Sequence, residues 1–157
     1  MALMTAQRKA EFEKEFAWSK DEGRREVVSK IQVARSFGDL SENSEYDIAL
    51  LDQAKLESRI VELEQILKEA ELYEIKDSYD CIAIGCVVAF EDIKTKKHRK
   101  VQIVGIYESN PDEDKISVEC PLAKSLLGKK VGEIANFSHK QNLNRYKILS
   151  IEAPTIE

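Results

Sequence analysis

Eight positions of the sequence, Tyr46, Ala49, Gln53, Leu56, Ile60, Leu63, Leu67 and Ala70, recur at spacings that alternate between 3 and 4. This is the heptad seam of a coiled coil with one polar member, and mostly Glu, Lys, Asp and Arg fill the gaps. Such a stretch folds as a long helix with one apolar stripe, and that stripe needs a partner. Upstream, Phe12, Phe16, Val27, Ile31 and Ala34 form a weaker stripe among good helix formers. Gly23 is expected to loosen this first helix locally, and Gly38 suits a left-handed helix stop. The segment after Gly38 is rich in Asp, Ser and Asn, which favour helix N-caps. The pattern predicts two antiparallel helices of about 28 residues each, a hairpin on the order of 40 Å long. So thin a pair buries little surface and needs bracing at its root.

The grammar changes near Asp77. All three prolines and most of the β-branched alternation lie beyond it. Residues 86–91 and 100–107 read as strands flanking the polar turn 92–99, a hairpin. Residues 115–119 read as a third strand. Residues 121–127 read as a short helix with Pro121 at its first position and Gly128 after its end. Residues 133–138 and 145–151 complete the set. The fold class is therefore α+β. A helical hairpin over 1–75 and a linker over 76–80 precede a small antiparallel sheet domain with one helix over 81–157.

The charge is −5, from 24 basic and 29 acidic residues. A chain that grips nucleic acid with its whole surface is normally basic, so any such contact here is local or made through a partner. No run approaches the roughly 18 apolar residues of a membrane span, and the first residues carry no secretory apolar stretch, which predicts a cytoplasmic location with no membrane contact. Cys81, Cys86 and Cys120 lack zinc-site spacing and are expected to be reduced, buried and inert. His98 and His139 have no second ligand at metal spacing. Trp18 is expected to pack at the root of the hairpin.

Charge is segregated along the hairpin. Residues 7–35 hold 8 basic and 6 acidic groups, and residues 39–74 hold 3 and 11. Lys20, Arg24, Arg25, Lys30 and Arg35 are candidates for a basic patch, or for ordinary pairing with the acidic second helix. Asp39 and Glu42 stand three apart in the connection, with Glu45 and Asp47 behind. Two readings fit them. Asp39 as N-cap with Glu42 at the third helical position is a capping arrangement. Alternatively, two carboxylates at a tip are half of a Mg²⁺ site, completed by oxygens from elsewhere.

The stretch Gly38-Asp-Leu-Ser-Glu-Asn-Ser-Glu-Tyr46 resembles the tip signature of the bacterial GreA/GreB transcript cleavage factors. Arg24-Arg-Glu-Val27 resembles the approach to that tip, and residues 116–132 resemble the family's carboxy-terminal segment. Overall resemblance, together with the modest basic content of the first helix, makes the chain more similar to the GreA branch. The family's usual opening and its Thr-Pro-Gly-like turn near the end are absent. The resemblance implies a coiled-coil hairpin that enters the secondary channel of RNA polymerase, and an FKBP-like domain that docks at the channel mouth. It implies that Asp39 and Glu42 help hold a second Mg²⁺ in the polymerase active centre of a backtracked DNA–RNA elongation complex. No cofactor is expected on the chain alone. The water activated there would cut the nascent RNA, so the chain would be a catalytic cofactor of the polymerase and not an enzyme by itself. Gly38, Ser41, Asn43, Glu45 and Tyr46 are implied to support the tip, and the five basic residues to contact extruded RNA. A Gre-like inhibitor occupying the same channel is the nearest alternative, and a free prolyl isomerase a more distant one. The free protein is expected to be a monomer.

Overall fold

The computed structural model describes residues 2–38 and 43–155. Two compact units emerge. One holds Lys9–Ala70, and the other joins the residues up to Arg8 with those from Glu71 onward. The division expected at residue 75 groups the opening of the chain with the hairpin. Instead the opening forms β1 (Ala2–Met4), which pairs with β2 (Ala70–Leu72) in a two-stranded sheet. Each of these strands is three residues long, too short for periodicity to mark them as strands.

In the helical unit, α1 (Ala6–Trp18) runs through a π-helical turn (Ser19–Gly23) into α2 (Arg24–Arg35). The return arm is α3 (Ser44–Glu69), 26 residues long. The expected seam of α3 holds. Ala49, Ile60 and Leu63 are buried, the remaining members are half-buried, and Ile66 joins them. On the first arm Phe12, Val27 and Ala34 are buried, and the stripe continues through the small residues Ser19 and Gly23. Here Ser19, Gly23, Val27 and Ile31 follow one another at intervals of four. A straight α-helix turns about 400° in four residues, so three such steps carry a stripe roughly 120° off its face. The wider π turn takes back part of that rotation. Gly23 is small for a contact reason as well, since a Cβ there would lie 3.1 Å from the Trp18 ring and 3.2 Å from Leu56. Trp18 itself, expected to pack at the root of the hairpin, is 45% exposed, with its ring beside Gly23 and its indole N–H on Glu22 at 3.0 Å.

The hairpin register is pinned by ion pairs between its arms. Arg59 forks onto Glu15 at 2.9 and 3.1 Å, and Arg24 onto Glu57 at 2.9 and 3.0 Å. These pairs are solvent-exposed, so they stabilise little and their main effect is on alignment.

The second unit is a five-stranded sheet in the order β5-β4-β3-β7-β6. Its strands are β3 (Val87–Asp92), β4 (His98–Val104), β5 (Lys115–Ser117), β6 (Ile134–His139) and β7 (Asn142–Glu152). The expected hairpin of β3 and β4 is present and antiparallel. The sheet is mixed, however, because β5 pairs with β4 in parallel. The chain leaves β4 at Gly105, earlier than the expected residue 107, and enters a 3₁₀ turn over Ile106–Glu108. A Cβ on Gly105 would overlap the carbonyl oxygen of Leu3, so only glycine lets β1 pass there. Tyr73 braces the crossing. Its hydroxyl accepts from the Gly105 N–H at 3.3 Å and donates to Glu108 Oε2 at 3.0 Å, while Glu108 Oε1 accepts from the Thr5 N–H at 2.7 Å. Burial pushes the Tyr73 phenol well above its usual value.

Phe90, Val88, Ile103, Val101, Ile148 and Cys86 fill the core under α4 (Pro121–Leu126), which contributes Ala123 and Leu126. Phe90 meets Tyr146 edge-on, with ring centroids 4.9 Å apart. A two-residue turn joins β6 to β7, with Lys140 and Gln141 both left-handed at φ 47° and 69°. All three cysteines are free. Cys86 is buried and its thiol is pushed up by desolvation. Cys81 and Cys120 are only half-buried, a departure from the expected burial. Cys120 caps α4 by accepting from the Ala123 N–H at 3.4 Å.

Candidate functional site

At the turn of the hairpin the described residues of the first arm run to Gly38 and those of the second begin at Asn43. At the end of α2, Ser36 N–H reaches Gln32 and Val33, and Phe37 N–H reaches the Ala34 carbonyl at 3.2 Å. Gly38 N–H bonds the Arg35 carbonyl at 3.3 Å, and Gly38 adopts φ +102°. No atom crowds the place where its Cβ would be, so the requirement for glycine is conformational.

Asn43 opens α3. Its Oδ1 accepts from the N–H groups of Glu45 and Tyr46 at 3.1 and 3.2 Å, satisfying two orphan donors of the helix. Its Nδ2 donates to the Ala34 carbonyl at 2.7 Å, across to the other arm. The cap is therefore Asn43, and the expected Asp39 cap is corrected, because α3 begins at Ser44. Glu45 and Asp47 sit in its first turn, where the helix dipole favours acidic groups. Tyr46 is half-buried and carries the Arg35 guanidinium 5.8 Å above its ring. Asp39, Ser41 and Glu42 lie outside the described residues. Gly38 and Asn43 are the ends between which their four-residue segment runs.

The basic candidates do not form one patch. Lys20, Arg24 and Arg25 line a shallow groove on the first arm together with Val28, Ser29 and Gln32. Lys30 lines a different groove, with Val33, Ile48 and Asp52, and pairs with Asp52 at 3.8 Å. Arg25 is held by Asp21 at 2.7 Å and Lys20 lies over the Phe16 ring at 4.9 Å. The hydrogen bonds from Arg24 hold the Glu57 carboxyl below its ordinary value. Pairing with the acidic arm thus engages Arg24 and Lys30. It was open in the sequence as one of two alternatives, and the charge segregation alone did not choose the partners.

Among the described residues no group of three or more His, Cys, Asp or Glu side chains is placed to hold a metal ion. None of the described helices is long and apolar enough to cross a membrane.

The family model for the transcription elongation factor N-terminal domain matches residues 2–72, and that for the GreA/GreB C-terminal domain matches residues 76–153. The chain belongs to the GreA/GreB family of transcription elongation factors. It is 41% identical to transcription elongation factor GreA of Clostridium novyi (strain NT) over 150 residues, 95% of this chain and 94% of that one. With GreA of Bacillus subtilis (strain 168) it shares 45% identity over 130 residues, 83% of each chain. A crystal structure of GreA factor homolog 1 (Gfh1) of Thermus thermophilus covers 96% of this chain and 98% of its own at 25% identity, with a TM-score of 0.42. The two GreA/GreB matches meet between residues 72 and 76, beside the linker expected from composition. The stretch that resembles the family's tip signature includes Asn43, whose amide bonds the Ala34 carbonyl of the facing arm.

Proposed function

We propose that this elongation factor acts on backtracked RNA polymerase in the cytoplasm. In this reading the hairpin enters the polymerase secondary channel and stimulates cleavage of the nascent RNA. The sheet domain docks at the channel mouth, and the polymerase performs the hydrolysis, with the factor as its catalytic cofactor. The observation that carries the reading is the bond from the Asn43 amide to the Ala34 carbonyl of the facing arm, just after the Asp39–Glu42 segment in the chain.

Asp39 and Glu42 are hard oxygen donors of the kind Mg²⁺ prefers, and two carboxylates are as many as it usually takes from one protein. They fit as half of a site shared with carboxylates of the polymerase. When bound there, the ion lowers the pKa of water and stabilises charge on the phosphodiester. In this reading Asp39 and Glu42 supply the oxygens, Gly38 and Asn43 flank their segment in the chain, and Tyr46 carries the Arg35 guanidinium. Lys20, Arg24 and Arg25 supply positive charge along one groove for extruded RNA. Lys30 and Arg35 contact RNA only outside that groove.

The test is a stalled, backtracked polymerase complex carrying end-labelled RNA, with Mg²⁺. Wild type is expected to shorten the RNA and the Asp39→Ala/Glu42→Ala variant to leave it intact. Competition with a cleavage factor but no shortening by wild type would identify a channel-occupying inhibitor instead. Shortening by both proteins would return the two acids to a structural role.

A further inference from the structure

An aromatic row leads out of the core of the sheet unit. Buried Phe90 meets Tyr146, Tyr146 stacks on Phe137 with centroids 6.4 Å apart, and Phe137 stacks on His139 at 6.0 Å with the ring planes 9° apart. Residues opposite one another in a ladder share a face. Ala135 stands opposite Tyr146, Phe137 opposite Asn144 and His139 opposite Asn142, while Arg99 stands opposite Phe90. Ala135 is packed with Ala123 and Leu126 of α4. Farther along β6 the same face opens, with Phe137 and Tyr146 half-buried and His139 exposed.

This open end is basic. Residues 93–100 hold five basic groups and residues 138–147 hold three, with no acidic one in either, in a chain whose charge is −5. The two segments are neighbours, since Ile93 N–H bonds the Arg145 carbonyl at 3.0 Å. Lys100 is engaged by Glu152 at 3.6 Å, but Lys94, Lys96, Lys97, Arg99 and Lys140 form no ion pair among the described residues. The nearest carboxylate, Asp92, is spent on the turn, where it accepts from the N–H groups of Lys94 and Thr95. Glu91 stands opposite His98 and Lys147, on the other face.

We propose that the open end of this sheet face is a docking surface for single-stranded RNA, with bases stacked on His139, Phe137 and Tyr146 and phosphates met by Lys94, Lys97, Arg99 and Lys140. Aromatic side chains on a sheet, flanked by free cations, match unstacked bases on a charged backbone, and duplex bases are not available for such stacking. Asn142 and Asn144 offer amide donors and acceptors for base edges beside the rings. RNA is the single strand that transcription elongation produces. This surface is separate from the groove of Lys20, Arg24 and Arg25, and the proposal does not depend on the cleavage reading.

The experiment follows the fluorescence anisotropy of a labelled oligouridylate of about 12 nucleotides with the full chain, from about 50 mM salt upward, with circular dichroism as a check on folding. Lys94→Gln/Lys97→Gln/Arg99→Gln is expected to weaken binding at least about tenfold and to make its salt dependence shallower. His139→Ala and Phe137→Leu are each expected to weaken it about fivefold or more with the salt dependence unchanged. The RNA is expected to bind at least as tightly as the oligodeoxyuridylate of the same length. No binding by wild type would overturn the proposal, as would a loss confined to Lys20→Ala/Arg24→Ala/Arg25→Ala, which would place the contact on the helical arm. Loss in the charge variant with none in the two ring variants would overturn the stacking surface. Equal binding of an oligoglutamate would point to an acidic protein instead, and tighter binding of the oligodeoxyuridylate to DNA, and either would overturn the assignment to RNA.

Discussion

Gly105→Ala is the substitution whose consequence follows most directly from the packing. The new methyl would overlap the Leu3 carbonyl oxygen, and both groups belong to backbone, so neither moves as a flexible side chain does. The core side of Gly105 is held by the sheet, which leaves β1 as the part that yields. What β1 contributes can be bounded. Met4 is fully buried, worth about 2 kcal/mol. The Tyr73 N–H to Met4 bond at 3.1 Å adds about 1 kcal/mol, and the Thr5 N–H to the Glu108 carboxylate about 2. Against this total of about 5 kcal/mol, ordering the backbone of residues 2–5 costs about 4–8 kcal/mol. Gain and cost are of the same size, so little net docking energy resists the overlap, and the strand is expected to detach while the sheet core survives. Hydrogen exchange reads this directly: the amides of Tyr73 and Thr5 should lose protection in the variant, while those of Phe90 and Ile103 keep theirs. The urea midpoint followed by circular dichroism should fall only slightly. Unchanged protection at Tyr73 and Thr5 would refute the argument, because it would mean that the backbone absorbs the methyl.

Three other outcomes follow from the same structure. Tyr73 has a phenol raised above its ordinary 10 by burial, so its contribution to stability is full below pH 10 and is lost as pH rises further, while the unfolded chain ionises first; Tyr73→Phe should flatten the alkaline limb of the unfolding curve. Glu57 is held below its ordinary 4.5 by Arg24, so that pair's small contribution is present above pH 4.5 and lost as pH falls through the depressed value; Arg24→Gln should remove this step from acid titrations of the hairpin. Lys140 and Gln141 hold left-handed conformations in a two-residue hairpin turn, and replacing them by Asn-Gly should stabilise the sheet unit by about 0.5–1 kcal/mol in urea unfolding.

Much of this protein is legible in one dimension wherever a local period reports a face. The 3-4 spacing from Tyr46 to Ala70 names the buried stripe of α3 because helical geometry alone decides which side chains share a side. Alternating residues mark β3 and β4, and Pro121 with Gly128 brackets α4 for reasons internal to the chain. The acidic segment after Gly38 is equally visible, as is its position at the return of a hairpin. Other features depend on contacts between residues far apart in sequence. The pairing of Ala2–Met4 with Ala70–Leu72 and the parallel placement of β5 leave no periodic trace, since backbone hydrogen bonds do not depend on side-chain identity. The π turn exists because a stripe at intervals of four must stay on one partner, and Ser19 and Gly23 hide in it as small residues. Asp39 and Asn43 are equally good caps by composition. Sequence alone determined that a cap would stand in this loop, and the tertiary structure chose Asn43, whose amide also bonds the carbonyl of Ala34 nine residues upstream on the facing arm.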